Sequence, residues 1–99
     1  MKPIVLKLAR DDLKEAHNYL SEFGVTPPGK FRESFKKFCA QVESMPYMFC
    51  KYEQNQKYRR AILDYDYLVF YQVEDSSGRV KVFRVLHGKR DIMRLLDPE

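Results

Sequence analysis

Near the end of this 99-residue chain a histidine is followed directly by a glycine and two cations, His87-Gly88-Lys89-Arg90. Imidazole titrates near neutral pH and moves protons, while ammonium and guanidinium groups stabilise developing negative charge. Strand pairing could add Arg59 or Arg60 and Arg84 to the same sheet. Such a set is one solution to RNA cleavage without a metal. The ribose 2′-OH is deprotonated, the phosphorane charge is stabilised, and the departing 5′-oxygen is protonated. The same His-Gly pair is equally compatible with a turn after a strand, its ring anchored by packing. His17 lies near the apolar side of a helical segment and reads as a packed or half-exposed residue rather than a ligand.

Other chemistries find no footing. The chain has no Gly-rich phosphate loop, HExxH, paired-Cys metal spacing or GxSxG elbow, so neither a metal nor a cofactor is implied. Cys39 and Cys50 lack CxxC spacing and clustered histidines, and read as reduced thiols. No apolar run approaches the ~20 residues that span a bilayer. The opening Met1-Lys-Pro-Ile-Val-Leu-Lys7 is too short and too soon charged for a signal peptide, so a cytoplasmic protein without membrane contact is expected.

Eighteen Lys and Arg against fourteen Asp and Glu leave a net charge of +4, and the pI is near 9.1. The excess is uneven. Lys51, Lys57, Arg59 and Arg60 surround only Glu53, and from Arg79 to Arg94 six cations face Asp91 alone. A polyanion or an acidic protein surface suits that cluster.

The elements that must position these groups follow from the apolar periods. Residues 3–8 predict a first strand. From Asp11 the period becomes helical, with Leu13, Ala16, Leu20 and Phe23 on one stripe and Gly24 ending it. Thr26-Pro27 predicts the cap and first turn of a second helix. There Phe31, Phe35, Phe38, Val42 and Met45 recur at spacings of 4, 3, 4 and 3. Pro46 closes it, and Glu53–Lys57 is expected to be the most mobile loop. Tyr58–Leu63 begins a β-meander, Tyr65–Val73 alternates with the strand period, and Asp75-Ser-Ser-Gly78 predicts a hairpin turn. The final strand alternates at Val80 and Val82 and then blurs through Phe83, Val85 and Leu86, as expected of an inner strand. Asp91–Leu96 adds a short helix. The expectation is one α+β domain over 1–99, β-α-α-β-β-β with a helical end, its helical hairpin packed on a small, largely antiparallel sheet.

This order, with Tyr58-Arg-Arg-Ala-Ile-Leu63, Tyr67-Leu-Val-Phe-Tyr-Gln-Val73, Leu8-Ala-Arg-Asp-Asp-Leu13 and above all Val82-Phe-Arg-Val-Leu-His-Gly-Lys-Arg-Asp-Ile92, resembles the RelE/ParE superfamily of bacterial toxins. The resemblance implies the toxin half of a type II toxin–antitoxin system, bound by a cognate antitoxin with a partly disordered segment. DNA would be touched only through the antitoxin. Two activities occur in the superfamily. RelE-like members cut mRNA on the ribosome, and matched residue by residue that role would fall on Lys57, Arg60, His87 and Arg90. No Tyr or His follows Arg90, which leaves proton transfer to His87 alone. ParE-like members, the plasmid-stabilisation branch, poison DNA gyrase without catalytic residues, and residues 85–92 resemble that branch more closely. A third possibility is an inactive homologue kept as a binding partner. Arg59, Arg84 and Lys89 are the expected binding cations. Tyr47, Met48, Phe49 and Tyr52 are core residues or anchors for the antitoxin, with Phe49 and Tyr52 the anchors of choice.

Overall fold

A computed structural model describes residues 1–97. Strand β1 (Lys2–Val5) leads through one extended residue, Leu6, into helix α1 (Lys7–Ser21). Helix α2 (Thr26–Ser44), strand β2 (Arg59–Ile62), a tight turn at Asp64–Asp66, strand β3 (Tyr67–Glu74), strand β4 (Arg79–His87) and helix α3 (Ile92–Leu96) follow. The strands lie in the order β1-β4-β3-β2. β2, β3 and β4 form an antiparallel meander, and β1 joins β4 in parallel, from Lys2 opposite Arg79 to Val5 opposite Val82. The expected α+β layout is therefore present, with one parallel pair in the sheet.

Each face of the sheet has its own cover. On one face Ala9, Ala16 and Leu20 of α1 and Phe31, Phe38 and Val42 of α2 meet Ala61, Val69, Tyr71, Val80, Val82 and Val85. Phe38 is the hub, its ring 5.4 Å from Tyr71 and 5.9 Å from Phe49. On the other face Phe70 and Leu86 pack with Tyr58 and with Ile92 and Leu96 of α3. A register shift makes both faces apolar. Tyr71 pairs with Val82 but Phe70 pairs with Arg84, so Phe83 is an extra, bulged residue and Val85 takes over the hairpin face. The bulge, as well as the inner position of β4, is why alternation blurs there.

Several boundaries differ from the sequence expectation. The first strand stops at Val5 and the helix begins at Lys7, where Lys7 and Asp11 form an i,i+4 pair at 3.0 Å. Phe23 and Met45 were expected on the helical stripes, but both lie past the helix ends, and Phe23 is 64 % exposed. Thr26 is not a cap: Val25 occupies that position without a side-chain hydrogen bond, and the helix starts with Thr26 itself. Tyr65 is not a strand residue. It and Asp66 both have positive φ, which reverses the chain sharply between β2 and β3. The polar segment 53–57 is closed by backbone hydrogen bonds from Tyr52 to Tyr58 and from Tyr58 to Asn55, and it is tied to Asp97 through Asn55 and Lys57.

Candidate functional site

His87 ends β4 opposite Tyr67, and the two rings meet edge to face at 5.2 Å. The chain then turns tightly. Gly88 donates its N–H to the Asp66 carbonyl at 2.8 Å, and a side-chain carbon at Gly88 would sit only 3.3 Å from that oxygen. A side chain there would make the two turns give by a few tenths of an ångström. The Lys89 N–H points at His87 Nδ1 at 3.2 Å, so that nitrogen accepts.

Between this turn and α1 lies a cleft of about 430 Å³, lined by Tyr19, Tyr67, His87, Lys89 and Arg90 with Asp12 and Glu15. Burial raises the Tyr67 phenol above its usual range, so it stays protonated at neutral pH. Asp12 is committed elsewhere. Its two oxygens receive Arg84 Nε at 2.7 Å and Nη2 at 2.9 Å, and Oδ2 also accepts the Val85 N–H at 3.0 Å. Arg84 Nη1 reaches across to the Leu95 carbonyl at 3.0 Å. The side chains of this pair are only 15 % and 10 % exposed, and the hydrogen bonds to Asp12 raise the guanidinium pKa further. Arg84, expected among the binding cations, therefore joins α1, β4 and α3 from inside. Arg90 is looser, 3.5 Å from Glu15.

The other candidate residues lie elsewhere. Arg60 pairs with Phe70, and cross-strand partners share a face, so Arg60 projects from the outer side with α3. His87 and its partner Tyr67 share the hairpin side. Across two strands and three residues, Arg60 and His87 are separated by about 10 Å in each direction, as well as by the sheet itself. Lys57 sits by α3 and is held by Asp97 at 3.1 Å, a hydrogen bond that raises its pKa. Arg59 faces the hairpin side, donates to the Phe49 carbonyl at 2.8 Å and stacks 5.0 Å from the Tyr47 ring. Phe49 packs on Phe38 and Tyr71, and Tyr52 lies 5.0 Å from Phe70, so both rings belong to the edges of the core. Tyr47 and Met48 are exposed.

The structure thus unites His87, Lys89 and Arg90, and separates them from Lys57, Arg59 and Arg60. It adds Asp12, Glu15, Tyr19 and Tyr67, which the sequence reading passed over. The spacing of 12, 15 and 19 was a usable signal, since steps of 3 and 4 place all three on one stripe of α1.

The sequence matches the family described as the ParE toxin of type II toxin-antitoxin system, parDE, over residues 4–92. The chain belongs to that family. Its fold is similar to that of the chromosomal ParDE system from P. aeruginosa, with TM-score 0.61, 13 % identity, and 88 % of this chain and 95 % of that chain covered. It is also similar to the intact E. coli RelBE toxin-antitoxin complex, with TM-score 0.64, 20 % identity, and 90 % and 98 % covered. At these identities the likeness is one of fold. No curated protein matches the sequence. In this ParE-family toxin no described helix is long and apolar enough to cross a membrane.

Proposed function

We propose that this ParE-family toxin arrests growth by gripping DNA gyrase, without cutting RNA, and that a cognate antitoxin neutralises it. The observation that carries the reading is the division of the basic side chains between two faces of the sheet. A metal-free ribonuclease needs its proton carrier and its cations around one phosphate, within hydrogen-bond reach. Arg60 lies on the side of α3, Lys57 is held by Asp97, and His87 and Arg90 open toward α1. A toxin that works by binding needs no such convergence. The fold neighbours are described as a ParDE system and a RelBE toxin-antitoxin complex, which supports an antitoxin as partner for this chain.

The second reading, a ribosome-dependent mRNA endonuclease, has one support: His87, Arg90 and the Tyr67 phenol share a cleft. Inducing the chain alone in bacteria and following labelled thymidine and methionine over the first minutes separates the two. Thymidine incorporation falling first is the expected result; methionine falling first overturns the gyrase reading. The double variant His87→Ala, Arg90→Ala, checked for folding by circular dichroism, is expected to keep the arrest. Unimpaired growth on induction of the unmodified chain would mean an inactive homologue.

A further inference from the structure

Phe23 is a large ring that the core leaves out. It stands exposed just past the end of α1, 5.3 Å from the ring of Tyr19, which is exposed as well. On the other side of a shared pocket, the β2–β3 turn holds Tyr65 in a conformation that tyrosine rarely adopts, φ 63° and ψ 29°. Asp66 follows with φ 62°. Two successive left-handed residues suit Asn-Gly, and a bulky side chain at the first of them is strained. The turn is nevertheless fastened. Leu63 donates its N–H to the Tyr67 carbonyl at 2.7 Å, and the Asp66 carbonyl accepts from Gly88 at 2.8 Å. The strained backbone thus keeps one exposed ring in one place.

The pocket so formed measures about 400 Å³ and is lined by the residues Tyr19, Phe23, Tyr65 and Tyr67, with Asp66 and His87. Its lining holds no Lys or Arg. Its one carboxylate, Asp66, forms no ion pair among the described residues. The C-terminal end of α1 carries the negative pole of the helix dipole, and no basic residue in its last turn offsets it. Glu22, at the C-cap, adds a negative charge there. Ring faces, a free carboxylate and the negative end of a helix all attract a cation. The adjoining cleft shares Tyr19, Tyr67 and His87 but carries Lys89 and Arg90, so the two differ in sign. Bases could stack on these rings, but their phosphates would be opposed by Asp66 and by the helix end. Of the two strong protein cations, guanidinium fits better. It is planar, stacks on aromatic faces and meets a carboxylate with two N–H groups.

We infer that this pocket takes an arginine side chain from a segment of another protein, its guanidinium stacked on Phe23 and Tyr65 and hydrogen-bonded to Asp66. The inference rests on the reading that this toxin works by gripping a target protein, and it gives that target a basic anchor.

The test titrates the isotope-labelled full chain with three probes: a Ser-Gly peptide carrying one central arginine, the same peptide with citrulline in its place, and an oligothymidylate. Citrulline keeps the shape and removes the charge. The arginine peptide should shift the amides of residues 19–23 and 65–67, and bind about tenfold tighter than the citrulline peptide. Asp66→Asn suits a left-handed position and should weaken it about fivefold, whereas Glu74→Gln, at the other end of β3, changes it less than about twofold. Tyr65→Asn removes the ring and relaxes the turn, so binding should fall about fivefold while the urea midpoint does not drop. Equal binding of the citrulline peptide, tighter binding of the oligonucleotide, shifts centred elsewhere, or full binding by Tyr65→Asn would overturn the proposal. So would inhibition of purified gyrase that the variant Phe23→Ala, Asp66→Asn retains in full. A chain that takes the arginine peptide yet leaves gyrase supercoiling untouched would sink the gyrase reading and keep the pocket.

Discussion

The two faces of the sheet are covered by different means. The hairpin face carries two long helices, and its centre is an aromatic cluster around the fully buried Phe38 and Tyr71. The outer face is closed by α3, five residues long, with Tyr52, Tyr58 and Phe83 around it. A helix of that length has no stability of its own in water. It stays in place through Ile92 and Leu96, through the Arg84 hydrogen bond to Leu95, and through Asn55 and Lys57 on Asp97. One face is thus a core that defines the fold. The other is a lid whose position depends on a few named contacts.

That contrast can be broken at several points. Phe38→Ala should cost about 4 kcal/mol, read as a fall in the urea midpoint, because a large ring is removed from the packed centre. Asp12→Ala should cost about 3 kcal/mol by the same measurement. It strips a part-buried guanidinium of its carboxylate and frees the side chain that links α1 to α3. If Asp12→Ala were neutral, Arg84 would not be what couples the two covers. Leu96→Ala should cost about 2 kcal/mol and speed hydrogen exchange around α3 first, leaving the amides of β4 opposite β1 protected. A loss as large as that of Phe38→Ala would erase the distinction between core and lid.

The smallest effect concerns pH, at the far end of the meander. The hydrogen bond from Lys81, at 2.8 Å, holds the Glu74 carboxyl below its ordinary value of 4.5. A carboxyl whose folded pKa is lowered stabilises above the unfolded value, and that contribution disappears as pH falls through the folded one. Glu74→Gln should therefore lower stability slightly near neutrality and leave it unchanged at the acid end, which flattens the decline below pH 4.5. An unaltered acid slope would show that the surface pair contributes nothing measurable.

Much of the fold was legible because its elements repeat their signals. The stripe Phe31, Phe35, Phe38 and Val42 allows only a helix, and Asp75–Gly78 followed by Val80 and Val82 allows little besides a hairpin. The bulge at Phe83 was not legible. It arises from the pairing of two strands, and no local residue, not even a glycine, announces it. The left-handed pair Tyr65 and Asp66 was hidden for a related reason, since tyrosine normally argues for a strand. The candidate site was half visible. The run His87 to Arg90 stood out by composition, whereas Tyr67 reaches it only through register, and Arg84 looks free in sequence while Asp12, seventy-two residues away, holds it. Face assignment was what separated Arg60 from His87, and a face is fixed only once the register of both hairpins is known.

The parallel pairing of β1 with β4 has a consequence in time. Lys2 to Val5 leave the ribosome well before their partners, Arg79 to Val82, so the strand waits for the more than seventy residues between them. Closing so long a loop is slow compared with forming the α1–α2 hairpin, whose contacts are local. During synthesis at about 5–20 residues per second, the hairpin exists for seconds with its apolar face uncovered and the sheet unfinished. The trough between its helices, lined by Leu13, Phe31 and Phe35 with Lys14, Arg32 and Lys36, is built from residues 13–36 and is complete early in that interval. A nascent chain therefore displays that surface before the rest of the fold exists, so the order of translation sets how long its apolar floor stays uncovered.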